Sequence, residues 1–155
     1  MRAPDSDAGV RVFGKAYAGV EYRPRPAVYA LIDRGDGRIA IMRVNGQAFL
    51  PGGGAESGES WEETIRREVL EEMGWAIHSL EPLMRTTEFL QPTPVRTATR
   101  IDATFVRAAL AERVADPIED DHFLDWLDPA DASEILTHRS HSWLAALLAE
   151  NRLDG

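Results

Sequence analysis

The stretch that decides the fold is "LPGGGAESGESWEETIRREVLEEMGW", residues Leu50–Trp75, in which glycines directly precede a segment crowded with glutamates. Ser60 and Glu63 form the pattern S-x-x-E, which is typical of a helix start. Gly74 stands where a left-handed residue commonly ends a helix. Apolar residues recur every fourth position between these two signals, which indicates one buried face. The sequence therefore predicts a glycine loop followed by a helix over 61–73.

Three carboxylates share one face of this predicted helix, because Glu68, Glu71 and Glu72 have the spacing i, i+3, i+4. Carboxylates this close repel one another unless a cation joins them. Their hard oxygen atoms, in a chain without cysteine, suit Mg²⁺ or Mn²⁺, and Mg²⁺ leaves several positions to water and substrate phosphate. Arg67, four residues before Glu71, has a planar fork that can tether a carboxylate. The run Gly52–Gly54 lets the backbone approach a ligand closely.

The order of these residues resembles the Nudix box, G-x5-E-x7-R-E-U-x-E-E-x-G-U, where U is a bulky apolar residue. Gly53, Glu59 and the run Arg67–Trp75 match each polar and glycine position without a gap. On composition alone, a run of Glu and Arg indicates a solvated helix face, and it is the order that favours the box. Trp75 departs mildly from the pattern, since an aliphatic residue is more usual at the last position.

The resemblance implies the α/β fold of this family, a Nudix-type α/β/α sandwich with a mixed β-sheet. It predicts a single domain over 10–155 after a flexible N-terminus at 1–9. The hydrophobic patterns agree, because they predict strands and two further helices on both sides of the glutamate helix. The segments expected to form strands are 27–34, 38–44, 83–90, 99–108 and 122–127, and those expected to form helices begin after Asp128 and span 140–153.

For function, the resemblance implies Mg²⁺- or Mn²⁺-dependent hydrolysis of a nucleoside diphosphate linked to another moiety. It implies Glu68, Glu71 and Glu72 as metal ligands, with Glu59 joining through water. Glu68 is also a candidate for orienting or deprotonating the attacking water, with Arg67 beside it in the catalytic group. A base from a later loop is the alternative, and this sequence offers Glu119, Asp120 and Asp121 there.

The substrate is less well defined by the sequence. Gly52 and Gly53 are candidates for substrate binding, as is Arg43 near the end of a predicted strand. By elimination of the secondary signals that other branches carry, the resemblance favours a nucleoside triphosphate pyrophosphohydrolase. An ADP-ribose or nucleotide-sugar hydrolase and a non-catalytic nucleotide-sensing module are the alternatives. His138 and His141 are more simply explained as flanking the last helix than as a metal pair.

Composition limits the partners. The 155 residues carry a formal net charge of -9, which argues against nucleic acid polymers and anionic membranes. No cysteine is present, so thiolate chemistry is excluded, and no apolar run is long enough to cross a bilayer. We expect a cytoplasmic protein that binds a small phosphorylated nucleotide-type substrate, with a homodimer as one permitted assembly.

Overall fold

The computed structural model of the chain describes residues 9–118 and 121–153. The expected flexible segment 1–9 lies outside the described residues except for Gly9. Within the described residues the elements are, in order, β1 (Arg11–Phe13), β2 (Arg23–Leu31), β3 (Ile39–Val44), β4 (Gln47–Phe49), β5 (Gly52–Gly54), α1 (Trp61–Met73), β6 (Trp75–Leu90), β7 (Thr99–Arg113), β8 (His122–Leu127), α2 (Pro129–Ile135) and α3 (Arg139–Ala149).

The described strands form a five-stranded mixed sheet in the order β1-β6-β7-β2-β5 and a three-stranded antiparallel sheet in the order β4-β3-β8. In the larger sheet β2 runs parallel to β7, while β5 and β6 run antiparallel to their neighbours β2 and β7. The glycine strand β5 therefore lies at one edge of this sheet, hydrogen-bonded to β2. This arrangement brings the loop before the glutamate helix onto the central part of the fold.

The alternation of side chains along β2 explains the layers. Tyr29 and Leu31 enter a core that also contains residues of α2 and α3, while Val28 and Ala30 enter a core completed by α1. Both faces of the strand are thus buried, which accounts for its nearly continuous apolar sequence. The helices cover opposite faces of the sheet, and the predicted α/β fold with a mixed sheet is confirmed.

The link between β2 and β3 differs from a simple hairpin. The turn forms as the sequence predicts, with Asp33 Oδ1 accepting hydrogen bonds from the N–H groups of Gly35 and Gly37. The strands then remain joined only by an isolated bridge from Asp33 to Ile39 and separate into different sheets. Because β3 pairs instead with β4 and β8, a cleft opens between the two sheets.

The strands that follow α1 are longer than the sequence patterns predict. β6 starts at Trp75, immediately after the helix, instead of at residue 83, and β7 continues to Arg113. Pro82 interrupts the hydrophobic pattern of β6, and the pairing of β6 with β7 shifts register beside it. The last helix begins at Arg139 and ends at Ala149, earlier than the predicted residue 153. Within the described residues, no helix has the length and apolar character needed to cross a membrane.

Candidate active site

Helix α1 is fixed at both ends by the capping residues that its sequence predicts. Ser60 Oγ accepts the N–H of Glu63 at 3.1 Å and donates to the Glu63 carboxylate at 3.1 Å. Gly74 ends the helix in the left-handed region at φ 76°. Ile65 and Val69 are fully buried against the sheet. The helix is therefore held in one rotation about its axis, and this rotation decides where its glutamates lie.

Arg67 is the centre of the candidate site, because its guanidinium joins several carboxylates. It donates to Glu59 through Nε at 2.7 Å and through Nη2 at 3.0 Å. Its Nη1 lies 3.0 Å from Glu68 Oε1 and 3.3 Å from Glu71 Oε2. A further bond from Nη2 reaches the carbonyl of Gly54 at 3.0 Å. One guanidinium therefore ties the carboxylates of α1 to the glycine strand β5.

The glycine strand provides the remaining contacts. Glu72 is 5% exposed, and its Oε1 accepts the N–H of Gly52 at 3.3 Å. Gly53 lies so close to the helix that an added Cβ would stand 2.7 Å from Glu68 Oε1. At Gly52, where φ is 141°, a Cβ would stand 2.0 Å from the carbonyl oxygen of Val28. Only glycine at position 52 allows β5 to pair with β2, and a side chain at position 53 would displace the carboxylate of Glu68.

The charged groups of this cluster shift one another's pKa and affect the stability of α1. The hydrogen bonds from Arg67, reinforced by the N–H of Glu56, lower the pKa of Glu59 to about 2, so this carboxylate stays ionised. The Glu59 hydrogen bond and the nearby Glu68 in turn raise the pKa of Arg67 above its usual value, although burial acts in the opposite direction. Glu71 and Glu72 occupy the last turn of α1, which contains no basic residue. Negative charge at this end opposes the helix dipole and costs stability.

The donor set fits a divalent cation. The carboxylates of Glu59, Glu68 and Glu71 contact one guanidinium, Glu72 contacts the adjoining glycine strand, and all four are hard oxygen donors. Glu68 and Glu71 point to Arg67, whereas Glu72 points to Gly52. With these orientations, residues 9–118 and 121–153 contain no group of three acidic or histidine side chains already gathered as a metal site. The assignment of Glu68, Glu71 and Glu72 as metal ligands stays a prediction.

A cavity of about 200 Å³ lies beside this cluster, between the two sheets. Gly52, Gly53 and Glu72 form part of its wall, as the sequence analysis expects of a substrate site. Its remaining lining consists of Arg25, Tyr29, Met42, Val44, Phe49, Leu50, His122 and His138. Burial raises the pKa of Tyr29 to about 12, against the opposing effect of Arg25, so this residue is a neutral phenol at the cavity wall. The cavity places polar groups and aromatic rings next to the predicted ligands.

Two histidines secure the loop that enters the site. His141 is fully buried, and its Nδ1 accepts the backbone N–H of Leu50 at 3.2 Å. That bond requires an unprotonated Nδ1, and burial holds the pKa of His141 well below its usual value. His138 immediately precedes α3, as expected for a residue flanking the last helix, and its ring stacks edge-on to His141. His141 thus packs beneath the cavity, whereas His138 forms part of its wall.

We expect the free energy of unfolding to fall as the pH is lowered from 7.5 to 5.5. Burial lowers the pKa of His141 and His138 in the folded protein, whereas both protonate near pH 6.5 in the unfolded chain. The unfolded chain then binds more protons, and stability declines by at most about 1.4 kcal/mol per pH unit for each histidine. Urea unfolding at several pH values measures this slope. The variant His141→Asn keeps an acceptor for the N–H of Leu50 and should make the slope smaller. An unchanged slope would contradict the assignment of His141 as a source of this pH dependence.

Not every predicted residue reaches the cavity. Arg43 is exposed on β3 and forms an ion pair with Asp125, 3.1 Å from Nε to Oδ2, so the structure does not place it with the glycines and glutamates. Asp121 is exposed and lies 3.0 Å from His122 Nδ1. Glu119 and Asp120 lie outside the described residues. The roles suggested for these residues stay predictions.

The structure adds residues that sequence reasoning missed. Arg25, which lines the cavity, is two residues before Ala27 and four before Tyr29, so it shares their face of β2. That period-2 pattern is a signal the sequence contains, since "RPRPAVYA" places Arg25 in register with the buried positions. Glu88 on β6 is also buried, and its carboxylate accepts the N–H groups of Arg139 and Ser140 at the start of α3. No local pattern identifies Glu88.

Comparison with known proteins identifies the family and the fold of the chain. A family model described as the NUDIX domain matches residues 23–149. The chain is similar to the MutT protein of Bacillus halodurans, with 19% identity, a TM-score of 0.67, and coverage of 83% of this chain and 85% of that one. It is similar to the E. coli dihydroneopterin triphosphate pyrophosphohydrolase, with 17% identity, a TM-score of 0.61, and coverage of 84% and 98%. A UDP-X diphosphatase matches at 20% identity and a TM-score of 0.60, over 88% of this chain and 66% of that one.

Proposed function

The chain belongs to the Nudix family of pyrophosphohydrolases, and we propose that it cleaves a nucleoside diphosphate linked to a second group with Mg²⁺ or Mn²⁺ as cofactor. The observation that carries this proposal is the cluster around Arg67, in which one guanidinium joins Glu59, Glu68 and Glu71. The cluster adjoins the glycine strand whose Gly52 N–H binds Glu72. A solvated helix face would not place a glutamate that is only 5% exposed against the backbone of a neighbouring strand.

Glu68, Glu71 and Glu72 would hold the metal ion, and Glu59 would join through water. When bound, the ion neutralises charge on the diphosphate oxygens and on the leaving group, which lowers the barrier to attack by water. Arg67 limits the directions available to the carboxylates of Glu59, Glu68 and Glu71, since its fork has fixed geometry. The net excess of carboxylates over guanidinium leaves negative charge for the ion to offset.

The protein's own part in the reaction is positioning and proton transfer. Glu68 has a side chain that is 13% exposed and stands beside Gly53, a residue of the cavity wall, and this position suits a base that takes a proton from water. The backbone of Gly52 and Gly53 lets a diphosphate approach the helix without meeting a side chain. Tyr29 and Phe49 offer ring surfaces along the same cavity.

A second part of the proposal concerns which compounds of this class the protein cleaves. We propose a nucleoside triphosphate as the first candidate and a nucleotide sugar or ADP-ribose as the second. The E. coli neighbour is named for a triphosphate substrate and the UDP-X diphosphatase for a diphosphate-linked one. Their identities of 17% and 20% leave the choice to experiment. We also propose a cytoplasmic location and a small nucleotide-type substrate, since the net charge of -9 argues against nucleic acid polymers as partners.

The test is product release from a panel of nucleoside triphosphates, nucleotide sugars and dinucleoside polyphosphates, with Mg²⁺, with Mn²⁺ and with EDTA. We expect release that requires the metal and that favours one compound class. Chromatography of the products then identifies which phosphorus–oxygen bond is cleaved. Tight binding of a compound without metal-dependent release from any member of the panel would favour a sensing module and overturn the proposal.

A further inference from the structure

A second and larger cavity adjoins the one beside Glu72. It has a volume of about 540 Å³ and shares Arg25, Phe49 and His138 with the smaller cavity. Arg96, from the loop between β6 and β7, and Arg139, at the start of α3, line the larger cavity but not the smaller one. The space beside Glu72 therefore continues past Arg25 towards two more arginines.

These arginines have no acidic partner among the described residues. Arg96 donates to the backbone carbonyl of Gln91 at 2.6 Å, and neither Arg25 nor Arg139 forms an ion pair within residues 9–118 and 121–153. By contrast, Arg43 and Arg100, which lie outside both cavities, are paired with Asp125 and Asp102. The larger cavity thus carries the positive charges of Arg25, Arg96 and Arg139.

The buried acid in this cavity is already committed to the backbone. Glu88 accepts the N–H of Ser140 at 2.9 Å and the N–H of Arg139 at 3.3 Å, and these groups belong to the first turn of α3. The helix start therefore offsets part of its negative charge, and His138 Nδ1 lies 3.7 Å from Glu88 Oε2. Burial is the main cause that lowers the pKa of His138; Glu88 raises it, and Arg25 and Arg96 add to the lowering. The guanidinium groups of Arg25 and Arg96 are thus close enough to His138 for their charge to act on it.

We propose that the substrate carries, besides its diphosphate, a phosphate monoester that Arg96 and Arg139 bind in the larger cavity. The proposal rests on the proposed function, because it places the diphosphate beside Glu72. Planar guanidinium groups bind phosphate through paired hydrogen bonds and hold their charge at every physiological pH. A substrate whose far end is neutral would gain no ionic contact from Arg96 and Arg139, which line only the larger cavity.

Matched pairs of diphosphate compounds test this directly. Coenzyme A and 3′-dephospho-coenzyme A differ only in one phosphate monoester, as do NADPH and NADH. The measured quantity is the ratio of kcat/KM for the phosphorylated compound to kcat/KM for its partner, in the presence of Mg²⁺. We expect a ratio of about ten or more in at least one pair, since a charge-assisted contact contributes that much. A ratio of one or below in both pairs would overturn the proposal.

Variants assign the effect to the cavity. Arg96→Gln and Arg139→Gln should each lower the ratio about tenfold. Arg38→Gln removes the same charge from an exposed arginine that lines neither cavity and should leave the ratio unchanged. Equal ratios in the wild type, Arg96→Gln and Arg139→Gln would show that these arginines bind no phosphate.

A binding measurement separates this proposal from the proposed function. Calorimetric titration in EDTA compares adenosine 3′,5′-bisphosphate with AMP and needs no hydrolysis. We expect the bisphosphate to bind at least tenfold more tightly to the wild type and to lose this advantage in the Arg96→Gln, Arg139→Gln double variant. If the panel of substrates shows no release but this preference is found, only the hydrolase proposal fails. Metal-dependent product release without tighter binding of the bisphosphate would contradict only the proposed phosphate site.

Discussion

Replacing Glu72 with glutamine is expected to lower metal-dependent kcat/KM by roughly a thousandfold while leaving the fold intact. Glu72 is 5% exposed and lines the cavity, so the loss of its charge removes a ligand from the predicted metal site. Glutamine has the same length, and its amide oxygen can still accept the N–H of Gly52, 3.3 Å from Oε1 in the native protein. The change therefore removes a charge without creating a cavity.

Activity and metal binding are measured separately in this variant. Titration with Mn²⁺ followed by electron paramagnetic resonance reports free metal without any turnover, and we expect at least tenfold weaker binding. Urea unfolding in EDTA should show a change in the free energy of unfolding below about 1 kcal/mol. The loss of activity then follows from loss of the ion.

The matched control is Glu62→Gln. Glu62 is exposed on the first turn of α1 and lines neither cavity, so the same charge is removed from the same helix. We expect this variant to keep its activity within about twofold of the wild type. A Glu72→Gln protein that matches Glu62→Gln in turnover and in Mn²⁺ affinity would refute the assignment of Glu72.

The parts of the fold that depend on local sequence were predictable. The capping box at Ser60, the left-handed Gly74 and the buried stripe of α1 all lie in one contiguous stretch, and each needs only its near neighbours to form. The same holds for the turn after Asp33. The order of acids and glycines also carried the family resemblance, which the match over residues 23–149 confirms.

The parts that depend on distant pairing were not predictable. The separation of β2 and β3 into two sheets depends on the competing partners β4 and β8, and it creates the cleft. The meeting of Arg25, Arg96 and Arg139 requires a strand, a loop and a helix start from three parts of the chain. Arg43 is a candidate on sequence because it lies near the end of a predicted strand, yet pairing of β3 with β8 gives it Asp125 as partner.

Replacing Arg67 is expected to have the second largest effect. The variant Arg67→Gln leaves Glu59, Glu68 and Glu71 without the guanidinium that joins them, and their mutual repulsion should turn the side chains towards solvent. We expect kcat/KM to fall about a hundredfold and the Tm in EDTA to fall by roughly 5 °C. High salt should reduce the fall in Tm, because mobile ions screen the repulsion.

Two further variants, Arg67→Lys and Arg66→Gln, distinguish the effect of the guanidinium geometry at position 67 from the effect of its charge. Arg67→Lys keeps one positive charge but lacks the fork that spans Glu59, Glu68 and the Gly54 carbonyl. It should therefore recover most of the Tm in EDTA and little of the activity. Arg66→Gln, in which the neighbouring arginine loses its bond to the carbonyl of Ile77, removes the same charge outside the cluster. If Arg66→Gln and Arg67→Gln lowered kcat/KM to the same extent, Arg67 would have no special part in arranging the glutamates, because only its contacts differ from those of Arg66.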